Sequence, residues 1–239
     1  MIINTPRILA TDDERKWMAL TWLTGREAKA ADNKYIENFV EFLSVLNKQN
    51  KNASQSKHKY KYMAKDSYTN TTSVIKNIKK RYKCALNDTS IGNDIKSWIR
   101  SEMNNKIEKL DKVKYDETNI KRRIISPSDI GIQNCLRESD KFVFFDFEYG
   151  GKDDIHKAIC DLILQPRHLL NVEDVKTLLK CVEDKENLKQ RIERNVINNL
   201  LALYQIKWIF IMTRYRDMLN IDKYNQYTEK LIAELQEKI

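Results

Sequence analysis

The sequence predicts an α+β protein that is mostly α, and three observations carry the prediction. Apolar residues recur every three or four positions over most of the chain, the pattern of amphipathic helices. No glycine or proline occurs after Pro166, so everything beyond it can be nearly all helix. Branched and aromatic residues gather in runs of strand length at only two places, near the N-terminus and over 141–149.

Taken in order, residues 5–24 hold two apolar runs, ILA and WMALTWL, on either side of the charged turn DDERK, and Gly25 closes the second. This reads as a β-hairpin. The period then changes. Tyr35, Ile36, Phe39, Val40, Phe42, Leu43 and Leu46 describe one face of a helix over 33–47, with Asp32 placed to cap it. Residues 47–58, NKQNKNASQSKH, read as an exposed polar loop. Helices are expected over 70–85 and 90–113, the second carrying Ile95, Trp98, Ile99, Met103 and Ile107. Val175, Leu178, Leu179 and Val182 share a face further on, and NLLALYQIKWIFIM at 199–212 is apolar all round, which requires burial inside a larger helical body.

A chain of 239 residues can bury a full core, and 41% hydrophobic with 32% charged residues is ordinary for a globular protein. The absence of an eighteen-residue apolar run, and of a signal-peptide core at the start, predicts a cytoplasmic protein with no membrane span. Cys84, Cys135, Cys160 and Cys181 show no CxxC pairing and read as reduced thiols. Net charge of +9 attracts anions, whether nucleic acid, acidic headgroups or phosphorylated small molecules. The basic stretches 51–65 and 76–83 interleave with Tyr60, Tyr62 and Tyr82, as stacking surfaces for nucleic acid do. A solvated lysine-rich helix face gives the same pattern and is the reading adopted, so nucleic acid is not the expected partner.

The stretch ISPSDIGIQNCLRESDKFVFFDFEYGG over 125–151 holds three of the five glycines and one of the three prolines. Its strand FVFF runs into Asp146, and Gly150 with Gly151 turns the chain immediately afterwards. Upstream, Asp129 and Asn134 have four residues between them. The order D-x-x-x-x-N, apolar strand, D-F-x is that of a kinase catalytic loop followed by a metal-binding turn. Such chemistry needs one carboxylate to orient and deprotonate a hydroxyl, and an asparagine with a second carboxylate to hold the metal. Gly131 is expected to let the loop turn between base and ligand, and the glycine pair to let the chain leave Asp146 sharply.

With these residues in place, the segment SPSDIGIQNCL…FVFFDFEYGGKDD…AICDLIL resembles the catalytic core of the aminoglycoside phosphotransferase and choline kinase superfamily, small-molecule relatives of protein kinases. The resemblance implies a helical C-terminal lobe of a protein-kinase-like fold over 26–239, with 1–25 as a β-hairpin remnant of the N-terminal lobe and the hinge. It implies Asp129 as catalytic base, Asn134 and Asp146 as ligands of Mg2+, and Asp161 as a structural anchor of the catalytic loop. ATP or GTP would be the phosphate donor, its adenine or guanine edge lying against the backbone of Thr21, Trp22 and Leu23, and a small-molecule hydroxyl the acceptor. Glu148 would add an outer contact. Most of the superfamily has histidine where this chain has Pro127, which bears on the loop's conformation. The sequence shows no GxGxxG loop and no strand lysine ahead of the hinge, so a truncated reading frame, with Met1 an internal start, and a catalytically dead fragment stand as expectations beside the active enzyme. Cys135 reads as packing, and His156 and His168 have no metal-ligand partner at useful spacing.

Overall fold

Helix α1, Asn33–Asn52, is the element around which the segment carrying Asp129 and Asp146 is arranged. The computed structural model describes residues 5–15, 17–52, 62–67, 70–110 and 123–238. Asp32 Oδ1 accepts the Tyr35 N–H at 2.9 Å, the cap expected from sequence. The face carrying Tyr35, Ile36, Phe39, Val40 and Leu43 is buried throughout, at about 1.5–3 kcal/mol for each large apolar side chain removed from water. The helix overruns its expected end. Residues 47–52 were expected in the loop, but Asn47 is buried and bonded to Ile125, which holds the polar run in the helix. The remainder of that loop lies outside the described residues.

Seven short strands are present among the described residues, in three antiparallel sheets. β1, Ile8–Asp12, pairs with β2, Trp17–Leu20, as the expected hairpin. Its side chains Ile8, Leu9 and Met18 are exposed. β3, Arg26–Glu27, lies beside β5, Cys135–Glu138, which pairs in turn with β6, Lys141–Phe144. β4, Arg123–Ser126, pairs with β7, Gly151–Asp154. Only β6 was expected in this half of the chain, because β5 and β7 read CLRE and GKDD and show no apolar alternation to mark them.

The helices follow the predicted periodicity. α2 spans Thr71–Asn87, with Asn70 accepting the Ser73 N–H as its cap. The helix expected over 90–113 is a run of three pieces, α3 Asn93–Trp98, a π-helical turn Ile99–Met103, and α4 Asn104–Lys109. α5, Ile155–Leu164, is buried at every position. α6, Val172–Glu183, starts at a capping box of Asn171 and Asp174, and the short α7, Glu186–Lys189, leads to α8, Arg194–Met212. A 3-10 turn, Thr213–Tyr215, joins α8 to α9, Met218–Lys238. The helical stretch Arg194–Tyr215 is long and apolar enough to cross a membrane by length and composition, and is mostly buried. α8 packs against α2, α5 and α9, which is the burial its all-round apolar sequence requires.

Candidate active site

The loop carrying Asp129 is fixed from two sides. At the end of β4, Asn47 Nδ2 donates to the Ile125 carbonyl at 3.0 Å, and the Ile125 N–H donates to Asn47 Oδ1 at 2.8 Å, so one buried side chain substitutes for a strand partner. Pro127 follows, and the chain turns at Ser128, whose φ of 65° is left-handed. Ser128 holds that conformation through two bonds, its N–H to Ser126 Oγ at 3.0 Å and its Oγ to the Lys65 carbonyl at 3.0 Å. The Asp129 N–H donates to the Pro127 carbonyl at 2.9 Å. Beyond it, the Tyr35 hydroxyl donates to the Ile130 carbonyl at 2.5 Å. Gly131 is not the turning point expected from sequence. Its φ is −67°, which any residue adopts, and the left-handed position falls on Ser128 instead.

Asn134 closes a 3-10 turn, Ile132–Asn134, and bonds to both halves of the site. Its Nδ2 donates to the Asp129 carbonyl at 3.2 Å, and its own carbonyl accepts the Phe145 N–H at 3.0 Å, one residue ahead of Asp146. Asp146 is itself left-handed, with φ of 63°. Its carboxyl is held above the usual range by partial burial and by the charges of Glu148 and Asp129, which places the three carboxylates in one field. None of the three forms an ion pair with a lysine or arginine among the described residues. Phe147 stacks on Phe42 of α1 with ring centroids 5.7 Å apart and planes at 15°. Gly150 closes the turn onto the Phe147 carbonyl at 2.9 Å. Gly151 serves close approach rather than a sharp turn, since a Cβ there would lie 2.7 Å from the Tyr62 carbonyl oxygen and from the Ala64 nitrogen.

A catalytic metal would find hard oxygen donors here. Asn134 offers an amide oxygen and Asp146 a carboxylate with no ion-pair partner among the described residues, a donor set that suits Mg2+ shared with phosphate oxygens. Among the described residues no group of three or more His, Cys, Asp or Glu side chains could hold a metal on its own.

The remaining residues singled out by sequence fall elsewhere. Asp161 is buried, but its partners are Lys157 at 3.0 Å, Trp208 Nε1 at 2.9 Å and Lys207, so it ties α5 to α8 and makes no bond to the catalytic loop. Lys157 lies between Asp153 and Asp161. Burial opposes its charge, yet the two carboxylates outweigh that and raise its pKa. His156 accepts the Glu193 N–H on Nε2 at 2.9 Å, so its Nδ1 carries the proton that faces Asp154. His168 donates from Nδ1 to the Leu162 carbonyl at 2.8 Å and packs edge-on against Tyr35, and burial brings its pKa down to about 4. Burial pushes the Cys135 thiol up to about 12, as befits a packing residue. Tyr82, considered as a stacking surface, packs edge-on against Phe210, while Tyr60 lies outside the described residues.

Thr21, Trp22 and Leu23 follow the hairpin. Thr21 is committed to Arg7, donating its N–H to the Arg7 carbonyl at 2.8 Å and accepting the Arg7 N–H on Oγ1. The backbone groups of Trp22 and Leu23 have no hydrogen-bond partner among the described residues. Thr24 Oγ1 then bonds Glu138 at 3.0 Å, joining the segment after the hairpin to the sheet that leads from Asn134 to Asp146. A cleft of about 990 Å³ opens beside Asp129, lined by Ser128, Gln133 and residues of α8, α9 and the turn between them.

Sequence reasoning missed the supports of this site. Tyr35 and Phe42 were visible only as members of a periodic apolar face, and Asn47 only as the first residue of a polar run. Each makes its contact with a segment at least 78 residues away, and no local signal encodes such a contact.

The described architecture matches solved structures over nearly the whole chain. An aminoglycoside phosphotransferase from Alicyclobacillus acidocaldarius superposes with a TM-score of 0.62 at 14% identity, covering 98% of this chain and 77% of that one. The fold is that of the aminoglycoside phosphotransferases and choline kinases. A choline kinase from Cryptosporidium parvum gives 0.57 at 12% identity, covering 98% and 73%. The aminoglycoside phosphotransferase APH(2'')-Ib in its ADP-bound form gives 0.50 at 13% identity, covering 96% and 77%. No family model and no curated protein matches the sequence. This phosphotransferase fold therefore accounts for the β-hairpin, the loop, the turn and the helical body together, and about a quarter of each neighbour's length has no counterpart in this chain.

Proposed function

We propose that the chain is a phosphotransferase that moves the γ-phosphate of ATP or GTP to a hydroxyl of a small molecule. The observation that carries this reading is the convergence of Asp129 and Asp146 from two separate loops. They are close enough for the charge of one to raise the pKa of the other, and the two backbone segments are bonded through Asn134. In this reading Asp129 accepts the proton of the attacking hydroxyl, and the Tyr35 bond to Ile130 and the Ser128 turn keep its carboxylate aimed at the cleft. Asn134 and Asp146 would hold Mg2+, which when bound neutralises charge on the phosphate oxygens. Phe147 keeps the Asp146 turn in place by stacking on Phe42. The unpaired backbone of Trp22 and Leu23 offers the base of the nucleotide an edge to bond. The ADP-bound neighbour and the kinase neighbours support a nucleotide donor.

The reading predicts that γ-labelled ATP with magnesium transfers label to one component of a small-molecule metabolite extract, detected as a gain of one phosphoryl mass. Asp129→Asn should lower that rate by about 10²–10⁴-fold, the usual contribution of a general base, with nucleotide binding retained. Equal rates in the two proteins would remove Asp129 from the chemistry.

A further inference from the structure

The cleft beside Asp129 has a charge pattern that its fold neighbours' printed substrates do not explain. Six cations line it against four carboxylates, an excess of two positive charges. Two of the four carboxylates are already paired with cations. Asp66 pairs with Arg81 at 2.7 Å, and Asp161 is held between Lys157 and Lys207. Asp217 accepts the Asn220 N–H at 3.1 Å at the start of α9. Asp129 is the base of the proposed reaction. On the cation side, Lys65 stands over the Tyr149 ring at 3.5 Å, and Arg167, Arg214 and Lys223 have no ion-pair partner among the described residues.

An ammonium-bearing acceptor would therefore lie beside three unpaired cations and, besides the base itself, would meet one carboxylate without a cation partner among the described residues, Asp217. An acceptor carrying an anionic group meets the opposite situation, because Arg167, Arg214 and Lys223, exposed along the cleft, gain a counter-ion, an attraction that is strongest at low ionic strength. An aromatic face completes the wall. Trp208 has its indole N–H bonded within the fold, to Asp161 at 2.9 Å, and so presents only ring surface to an occupant. The volume of about 990 Å³ is at the upper end of small-molecule sites.

We propose that the acceptor is a hydroxyl compound bearing a carboxylate or a phosphate, bound through Arg167, Arg214 and Lys223, and not a polycationic or quaternary-ammonium substrate. The inference rests on the phosphotransferase reading for the role of the cleft, while the anion site itself can be tested without turnover.

The test is calorimetric binding to the full chain at low ionic strength. An anionic panel of glucose 6-phosphate, glycerol 3-phosphate, gluconate and glucuronate is compared with uncharged glucose and glycerol and with cationic gentamicin and choline. ADP with magnesium is titrated separately. The expected result is that at least one anionic compound binds at least tenfold more tightly than its uncharged counterpart. The double variant Arg214→Glu, Lys223→Glu should weaken that compound at least tenfold with the ADP affinity unchanged. Binding confined to the sugar phosphates or to the sugar acids identifies which anionic group is read. The proposal is overturned if gentamicin or choline binds more tightly than every anionic compound, if no anionic compound binds, or if the charge reversal leaves anion affinity as it was. Loss of the ADP arm alone, with the anion arm as expected, removes the phosphotransferase reading and leaves the anion site standing.

Discussion

At the scale of the residue, the site depends on side chains whose own environment is set by burial. His168 is the clearest case. It lies under the catalytic loop against Tyr35, and burial lowers its pKa from an ordinary 6.5 to about 4. The folded state therefore keeps the ring neutral where the unfolded chain already takes up a proton. Stability from this group is fully present above pH 6.5 and is lost as pH falls towards 4, by about 3 kcal/mol in total. His168→Asn keeps a donor for the Leu162 carbonyl and removes the titration, so urea unfolding at several pH values should show a flatter acid limb for the variant than for the parent. The same acid limb in both proteins would assign the effect to other groups. Asp146 shows the opposite balance, a carboxylate at left-handed φ raised in pKa by burial and by its acidic neighbours. An acid with no ion-pair partner among the described residues, held at left-handed φ beside other acids, is the kind of position the proposed metal role requires.

At the scale of the element, α1 and α5 carry the architecture. α1 bonds the Asp129 loop through Tyr35 and the end of β4 through Asn47, and stacks on the Asp146 turn through Phe42, so three segments distant in sequence are referred to one helix. α5 is joined to α8 by the Asp153, Lys157, Asp161 and Lys207 series, in which positive and negative groups alternate. Burial alone would raise the Asp161 pKa, but Lys207 and Lys157 more than reverse it. Asp161→Asn would leave the buried Lys207 ammonium without its carboxylate and Lys157 with Asp153 alone, and a broken buried pair of this kind costs about 3–5 kcal/mol. Thermal denaturation should show a correspondingly lower midpoint for the variant, with nucleotide affinity retained at temperatures where it is folded. A midpoint within a degree of the parent would deny the pair this structural role. The placement of α1 and α8 was legible from periodicity alone, because an apolar face and an all-round apolar stretch each leave only one way to be buried. β5 and β7 were not legible, because CLRE and GKDD become strands through pairing with β6 and β4, and that pairing is a property of the fold and not of the four residues.

At the scale of the whole molecule, the candidate site was legible to the extent that chemistry fixes spacing. Asp129, Asn134 and Asp146 were singled out by two intervals and a strand, and the structure brings Asp129 and Asp146 into one field with Asn134 bonded between their loops. The turn between base and ligand was assigned to Gly131, but the left-handed residue is Ser128, because the Ser126 hydroxyl and the distant Lys65 carbonyl both bond Ser128 and outweigh the intrinsic preference of the backbone. The cleft walls were not legible at all, since α8 and α9 contribute to them by packing. The central claim, that Asp146 joins the nucleotide to this fold through a metal, has a direct measurement: the thermal midpoint of the chain with and without ATP and Mg2+, in the parent and in Asp146→Asn. Asn tolerates the left-handed backbone and removes a repelled charge, so the variant should fold at least as stably as the parent when free. Nucleotide at a hundred times its dissociation constant stabilises by about 2.7 kcal/mol, and roughly 2–4 °C per kcal/mol makes the shift readily visible in a chain of this size. The account predicts a shift that requires magnesium and disappears in Asp146→Asn. No shift at any nucleotide concentration, or an equal shift in both proteins, would contradict it.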